Sequence, residues 1–340
     1  MNNSKNSLQP TIDGSVDYIA LIGGELEKAK QMHTQVPEHI GMFTVKTANL
    51  TIREAALRPD PNALWQTFWY EGEVCCLFSD SNLGKSIYAT QIAAEIAEKL
   101  TVLYFDFELS DKQFQLRYTD GQGGLYQFPD NLYRVEINRD SLDVTNFEDA
   151  VIDNIETAAL RTKAKVLIID NLTYLCIAAE KGDAAGTLMF RLTALKKKHD
   201  LSILVLAHTP KRPLSNPITQ NDLAGSKKLY NFFDSVFAIG KSAKDNGLRY
   251  IKQLKVRYGD YTYDSDNVIV ASIEKNGAFL KFSSIGFAEE KEHLKELTET
   301  DKNDRIEKAK ELRVQGLSNV AIAKEMRVSE GAIRKWFKSS

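Results

Sequence analysis

Residues 79–86, Ser-Asp-Ser-Asn-Leu-Gly-Lys-Ser, have the side-chain types and spacing of a loop that binds phosphate groups. They follow an apolar run at residues 74–78 and precede a helical pattern. In such a strand–loop–helix, backbone N–H groups bind phosphate oxygens, the lysine adds positive charge and the serine hydroxyl binds Mg²⁺. The pattern predicts a Walker A loop for ATP and Mg²⁺, with a catalytic lysine and a metal-binding serine. The predicted nucleotide contacts are Ser79, Asp80, Ser81, Asn82, Leu83, Gly84, Lys85, Ser86 and Ile87.

The first position of this loop departs from the usual motif. Position 79 holds serine where G-x-x-x-x-G-K-[ST] has glycine. Serine is small and fits if its φ angle is one that a side chain allows. A working loop and a degenerate nucleotide fold therefore both stay open.

Acidic residues end two further apolar strands. Glu108 follows residues 102–107 at the predicted carboxyl edge of the sheet, so we expect it to be the general base that orients or deprotonates water. Asp106 is the competing residue, two positions earlier on the same strand face. Asp170 follows residues 165–169 and has the form of a Walker B aspartate, which reaches Mg²⁺ through water. A surface or N-cap acid for Glu108, and a turn starter for Asp170, are the structural alternatives.

Strand and helix patterns alternate from residue 73 onward, which predicts an α/β core with a mostly parallel, helix-covered sheet. The last strand runs lie close together in the sequence, which favours an antiparallel edge. A charged stretch with little to bury then reads as a linker or exposed helix. The predicted division is 1–61 (arm or lid), 62–285 (core), 286–303 (charged linker) and 304–340 (a small α-helical module).

Composition is that of an ordinary folded protein: 340 residues, 43% hydrophobic, 26% charged and a net charge of −2. The net charge argues against a globally basic nucleic-acid coat. The three cysteines have neither metal-ligand nor disulfide-framework spacing. The sequence has no signal peptide pattern and no apolar run of about 18 residues, so we expect a cytoplasmic protein without a membrane partner.

With these elements in place, residues 62–285 resemble the RecA superfamily, and within it the DnaB-like and plasmid-encoded (RepA-like) hexameric replicative helicases. The resemblance is carried by the phosphate loop and by residues 104–110, the strand ending at position 170 and residues 204–211. It implies ATP hydrolysis, a RecA-like fold and Glu108 as the base. It also implies a polar sensor of the γ-phosphate, often glutamine, where this sequence has His208 and Thr209; a strand-end histidine with a purely structural role is the alternative.

The same resemblance implies contacts with a neighbouring subunit and with DNA. Lys255 and Arg257 match the family's Lys-x-Arg pair, which enters the adjacent subunit's ATP site; a cationic edge strand is the alternative. Lys227 and Lys228 lie where the family has a loop that contacts single-stranded DNA, although lysines in a polar loop are often merely solvated.

The end of the chain carries the positive charge. Residues 301–340 contain ten Lys and Arg against six Asp and Glu, and the pattern predicts three short helices. They resemble a helix-turn-helix of the resolvase or transposase type, which implies contact of the last helix with duplex DNA. A small protein-docking bundle is the alternative. The implied contacts are Glu330, Arg334, Lys335 and Lys338.

Together these features predict an ATP-driven DNA motor, a homo-hexameric helicase serving replication or mobilisation of a plasmid, phage or mobile element. Two other classes stay open: a RecA-fold ATPase that organises DNA-bound complexes without unwinding, and a helix-turn-helix regulator with a degenerate nucleotide site.

Overall fold

A computed structural model describes residues 38–138, 147–177, 184–210, 212–224, 227–296, 299–326, 328 and 330–338. The chain forms two compact units, residues 1–60 and residues 61–340. The described part of the first unit is a hairpin, β1 (Glu38–Ile40) and β2 (Phe43–Val45), followed by helix α1 (Ala48–Ala56). The Thr47 hydroxyl oxygen accepts from the backbone N–H of Leu50 and so caps α1.

The second unit begins with a short hairpin, β3 (Ala63–Trp65) and β4 (Trp69–Tyr70), and then forms a nine-stranded sheet. The order across the sheet is β13-β12-β11-β10-β5-β9-β8-β6-β7. Its strands are β5 (Val74–Ser79), β6 (Val102–Asp106), β7 (Leu132–Val135), β8 (Val166–Asp170), β9 (Ser202–His208), β10 (Ser235–Lys241), β11 (Leu248–Lys255), β12 (Val268–Asn276) and β13 (Phe279–Ala288).

Six neighbouring strands, from β10 to β7, run parallel, and β11, β12 and β13 complete the sheet in antiparallel pairs. This confirms the predicted α/β class. The strands do not follow chain order across the sheet: β9, the last of the four in the sequence, lies between β5 and β8. The carboxyl ends of β5, β6, β8 and β9 therefore meet at one edge of the sheet, where open α/β sheets bind ligands.

Helices cover both faces of the sheet. Alternate residues of β5 point to opposite sides: Cys76 and Phe78 belong to one apolar cluster, and Cys75 and Leu77 to the other. Each cluster buries Val, Ile and Leu side chains of the central strands, which accounts for the continuous apolar runs in the sequence. The helices are α2 (Lys85–Ala97), α3 (Asp111–Arg117), α4 (Phe147–Thr162), α5 (Leu172–Ile177), α6 (Ala184–His199) and α7 (Lys227–Phe232).

The first part of the interval 286–303 is not the linker or exposed helix that its charge predicts. Residues 286–288 belong to β13, and a 3₁₀ turn, Glu290–His293, follows with both of its end residues buried. The carboxylate of Glu290 lies 2.5 Å from Lys252 Nζ on β11 and accepts from the backbone N–H of Ile218 at 2.7 Å. An ion pair with main-chain hydrogen bonds lets these polar groups leave water, and composition alone does not reveal such a partner.

The C-terminal residues form three helices, α8 (Glu299–Val314), α9 (Asn319–Glu325) and α10 (Glu330–Lys338), so the first begins five residues before the predicted position 304. The Ser318 hydroxyl accepts from Ala321 N–H and caps α9. A small core holds the helices together: Ala309, Ile322, Ala323 and Ile333. Among the described helices, none is both long and apolar enough to cross a bilayer.

Candidate nucleotide site

The loop between β5 and α2 has the backbone shape that a phosphate cradle needs. Gly84, directly before α2, has φ +93°, and a Cβ there would lie 2.5 Å from Ile273 Cδ1. Conformation and close packing therefore both call for glycine. Ser79, in contrast, is the buried last residue of β5 and is not among the residues with positive φ; its hydroxyl donates to Asp80 O at 2.9 Å. Serine at this position is accommodated without backbone strain.

Lys85 and Ser86 open helix α2 beneath this loop. Lys85 is buried, with 7% of its surface exposed. Burial lowers the pKa of its ammonium group, and the negative charges of Asp170 and Glu108 oppose this shift. Its Nζ lies 3.4 Å from His208 Nδ1 at the end of β9. The ammonium is thus held at the carboxyl edge of the sheet, where it can bind a phosphate.

Asp170, at the end of β8, is a buried carboxylate with one oxygen to spare. Its Oδ2 accepts a 2.8 Å hydrogen bond from Tyr104 OH, whereas its buried Oδ1 has no hydrogen-bond partner in the described chain. Burial raises the pKa of Asp170 to about 6, although the hydroxyls of Ser86 and Tyr104 counteract part of the rise.

The donor set around Asp170 fits magnesium. Mg²⁺ is commonly held by one or two protein oxygens together with phosphates and water. A free carboxylate oxygen close to the Ser86 hydroxyl meets that requirement. Within the described ranges no cluster of three or more His, Cys, Asp or Glu forms a separate metal centre.

Glu108 lies just beyond β6 and faces the same edge. Its Oε1 accepts a hydrogen bond from Asn171 Nδ2 and lies 3.5 Å from His208 Nε2. Close contact with His208, the positive charge of Lys85 and the hydrogen bond from Asn171 hold the pKa of Glu108 below its ordinary value despite partial burial. An ionised, half-exposed carboxylate beside the phosphate loop can accept a proton from water.

Asp106, the competing acid, has a different environment. It is buried, its Oδ2 forms a 2.9 Å ion pair with Arg134 Nε, and its Oδ1 accepts from the backbone N–H groups of Glu108 and Leu109. All of these contacts are structural. Asp106 therefore fixes the segment that carries Glu108 rather than facing the loop.

Lys255 and Arg257 are far from their own chain's phosphate loop. Strand β10 is parallel to β5 and β11 is antiparallel to β10, so the end of β11 lies at the edge of the sheet opposite the loop. Lys255 Nζ donates to Phe233 O at 2.6 Å, and Arg257 Nη1 pairs with Asp234 Oδ1 at 2.8 Å. The Arg257 side chain is nevertheless 64% exposed.

The predicted DNA-contacting residues fall into two groups. Lys227 and Lys228 form the first turn of α7, but their side chains lie outside the described part of the chain. Arg334, Lys335 and Lys338 line one open surface groove of α10. Arg334 pairs with Glu330 one turn earlier, at 2.8 Å. The structure thus places three of the five predicted basic side chains on a single helix.

Sequence reasoning missed two residues of this site. Asn171 and Tyr104 are both buried and both contact a predicted functional carboxylate. A polar residue directly after a strand-ending aspartate is a visible signal for Asn171. Tyr104 has no such signal, because an aromatic residue within a buried strand is ordinary core composition.

Residues 44–213 match a family model described as an AAA domain, which spans half of the chain. The chain belongs to this AAA domain family. The matched region contains the phosphate loop, Glu108, Asp170 and His208, so the residues gathered at the phosphate edge belong to the AAA domain. The match ends before Lys255, Arg257 and the C-terminal helices.

A solved structure similar to this AAA domain protein is that of a KaiC-like protein from the hyperthermophilic archaeon Pyrococcus horikoshii OT3. The two are 14% identical with a TM-score of 0.46, over 63% of this chain and 91% of that chain. No curated protein matches the sequence.

Proposed function

We propose that this protein is a magnesium-dependent, ATP-driven DNA motor of the hexameric helicase class, acting in the cytoplasm in replication or mobilisation of a plasmid, phage or mobile element. The observation that carries the proposal is the convergence of Lys85, Glu108, Asp170 and His208 at one edge of the sheet, with Lys255 and Arg257 at the other. One edge would hold the nucleotide, and the other would complete the site of a second copy.

The residues of the first edge divide the chemistry of phosphoryl transfer among them. Loop N–H groups and Lys85 would bind the phosphates, and Glu108 would orient a water molecule and accept its proton. Ser86 and Asp170 would hold Mg²⁺, which when bound offsets phosphate charge. His208 would hydrogen-bond the γ-phosphate and report its presence.

The second edge supports catalysis in trans. Arg257 cannot reach the loop of its own chain, since the full length of the central strands separates them. Its exposed guanidinium is available to a neighbouring copy. An arginine supplied in this way stabilises the charge of the transition state. A homo-hexameric ring would repeat the contact at every interface.

Contact with DNA rests on the basic residues. Lys227 and Lys228 would contact a single strand in the ring, and Arg334, Lys335 and Lys338 would contact duplex DNA through α10. Residues 301–340 are positively charged although the whole chain has a net charge of −2, which supports the contact of α10 with duplex DNA.

The deciding experiment is steady-state ATP hydrolysis with Mg²⁺ by wild type and by Lys85→Ala, without DNA, with single-stranded DNA and with duplex DNA. A motor predicts turnover that needs Lys85 and rises with single strands; displacement of a labelled strand from a forked duplex then tests unwinding. No turnover by the wild type would contradict the proposal.

A non-unwinding ATPase that organises DNA-bound complexes is the second candidate. The three-helix C-terminal bundle with its basic groove favours it, because such a bundle suits duplex rather than single-stranded DNA. Stimulation by duplex alone, with no strand displacement, is its expected signature. A degenerate nucleotide fold is disfavoured because Ser79 fits the loop without strain.

A further inference from the structure

Asn171 occupies the junction of three functional side chains. It directly follows Asp170 and is buried, with 2% of its surface exposed. Its Nδ2 donates to Glu108 Oε1 and lies 3.0 Å from His208 Nε2.

The orientation of the Asn171 amide is fixed from its other side. Its Oδ1 lies 3.0 Å from the backbone nitrogen of Tyr174, which can only donate. The carbonyl oxygen must therefore face Tyr174, and the NH₂ group must face Glu108 and His208. Its two hydrogens match these two acceptors.

This orientation determines the tautomer of His208. A neutral imidazole has one N–H and one lone pair, and a donor at Nε2 requires the lone pair there. The ring proton is then on Nδ1, which faces Lys85 Nζ at 3.4 Å. In this tautomer the ring cannot accept a hydrogen bond from the Lys85 ammonium, so it does not compete with a phosphate for that group.

The opposite tautomer would connect different partners. With the proton on Nε2, the ring would donate to Glu108 Oε1 at 3.5 Å and accept from Lys85 at Nδ1. It would also set a ring N–H against the Asn171 amide N–H at 3.0 Å, a closer opposition of two donors than that of Nδ1–H and the Lys85 ammonium at 3.4 Å in the Nδ1–H form. The 3.0 Å contact with Asn171 is the shortest of the three that His208 makes here, which favours the Nδ1–H form.

We propose that Asn171 is a positioning residue that holds the Glu108 carboxylate at the phosphate edge and fixes His208 as the Nδ1–H tautomer. The inference rests on the proposed function, since Glu108 and Lys85 have these roles only in an ATPase. It adds a residue that acts through its neighbours and touches neither nucleotide nor metal.

Asn171→Asp is the sharpest variant. Its carboxylate keeps the shape of the side chain and the acceptor for Tyr174 N–H, but it replaces the donor that faces His208 with an acceptor. The ring should then move its proton to Nε2. Asn154→Asp on α4, whose amide donates to Ala150 O at 2.7 Å, is the matched control.

The direct readout is the ring nitrogen spectrum of the full-length protein labelled with ¹⁵N-histidine. The chain has five histidines, and the spectrum of His208→Gln identifies the signal. We expect the Nδ1–H pattern in wild type and in Asn154→Asp, and Nε2–H or a doubly protonated ring in Asn171→Asp. A wild-type ring protonated at Nε2 overturns the inference, whether or not any variant folds.

Kinetics supply the second readout. Because a displaced base affects the chemical step, kcat of Asn171→Asp should fall about 10- to 100-fold, with a smaller change in KM for ATP and retained binding of Mg²⁺–ADP. Wild-type kcat in Asn171→Asp overturns the inference while leaving the proposed function intact. Absence of turnover in the wild type contradicts the proposed function, whereas the tautomer is still read from the spectrum.

Discussion

The two functional carboxylates differ because their environments do. Asp170 is enclosed by the sheet, and burial raises its pKa; Glu108 is half-exposed beside His208 and Lys85, and its pKa is lowered. Glu108 therefore loses its proton readily before any ligand binds. Asp170 loses its proton more readily when a cation lies beside it. Glu108 is therefore ionised and can accept a hydrogen bond that orients water, and Asp170 suits a metal ligand.

Glu108→Gln tests the base directly. The amide keeps the size of the side chain but cannot accept a proton, so we expect turnover to fall about 10²- to 10⁴-fold with nucleotide binding unchanged. Binding of a fluorescent ATP analogue and steady-state hydrolysis measure the two effects. Glu98→Gln, at the exposed end of α2, is the control. A Glu108→Gln protein of normal turnover would assign the base to another residue.

Tyr104→Phe tests the support of Asp170. Loss of the hydroxyl removes the hydrogen bond that Tyr104 donates to Asp170 Oδ2, so the carboxylate can rotate away from the metal position. We expect the Mg²⁺ affinity of the protein–ADP complex to fall about 10-fold, as for other residues that orient a metal ligand. Titration of Mg²⁺ by calorimetry measures this without turnover. Unchanged affinity would mean that the surrounding sheet alone orients Asp170.

At the scale of elements, the sequence predicted what local patterns determine. The strand–loop–helix at residues 74–97 and the alternation of apolar strands with helices follow from side-chain periodicity and capping, and both are present. The order of the strands does not follow, because pairing joins segments far apart in the chain. Placement of β9 beside β5 is what brings His208 to the site, and periodicity contains no information about it.

The two main failures of prediction share one cause. Charge at residues 286–303 predicted exposure, yet Glu290 is buried because Lys252, almost 40 positions earlier, pairs with it. Asn171 was missed because its partners, Glu108 and His208, follow β6 and end β9 and are far from it in the sequence. Composition predicts that polar side chains are exposed to solvent. Only the tertiary structure shows that such a side chain has a buried partner.

Glu73, at the amino end of β5, gives a pH-dependent test of the sheet. Its Oε2 accepts from Ser235 Oγ and Tyr70 N–H, but its buried Oε1 has no partner in the described chain, and burial raises the pKa of the carboxyl group. A folded-state pKa above the unfolded value favours the protonated form. The contribution of Glu73 to stability is therefore present at low pH and is lost as the pH rises.

Glu73→Gln removes that dependence. The melting temperature of the variant relative to wild type should increase between pH 5 and pH 8, because only the wild type must bury a charge at high pH. Thermal unfolding at both pH values measures the difference. Glu95→Gln, on the exposed face of α2, should show none. A constant difference between Glu73→Gln and wild type would contradict the argument.

At the scale of the whole molecule, the two edges of the sheet define two surfaces with complementary needs. At the phosphate edge Arg212 pairs with Asp80 of the loop at 3.5 Å, but Lys85, Glu108 and Asp170 have no arginine among their described contacts. The far edge presents Arg257, whose ion-pair partner in the described chain is Asp234. Asp234 is buried and keeps the Lys196 ammonium and the Val74 N–H as partners, so transfer of Arg257 to a phosphate would not leave the Asp234 carboxylate unpaired. Identical copies arranged head to tail would satisfy both surfaces.

Mixing two inactive variants tests this arrangement. Glu108→Gln lacks the base. Arg257→Ala lacks the arginine that a neighbouring copy would supply, and its loss should reduce turnover about 10³-fold. If each site takes Glu108 from one copy and Arg257 from the next, a random 1:1 mixture restores both residues in about a quarter of the sites. Turnover of the mixture should therefore rise well above that of either variant.

The matched control is a mixture of Lys85→Ala with Glu108→Gln. Both residues belong to the same edge of one chain, so no pairing of these two variants assembles a complete site, and turnover should stay at the level of the separate proteins. Recovery in the first mixture and none in the second requires sites shared between copies. No recovery in either, with Arg257→Ala inactive and folded, would place the action of Arg257 within its own chain, and the head-to-tail arrangement would be wrong.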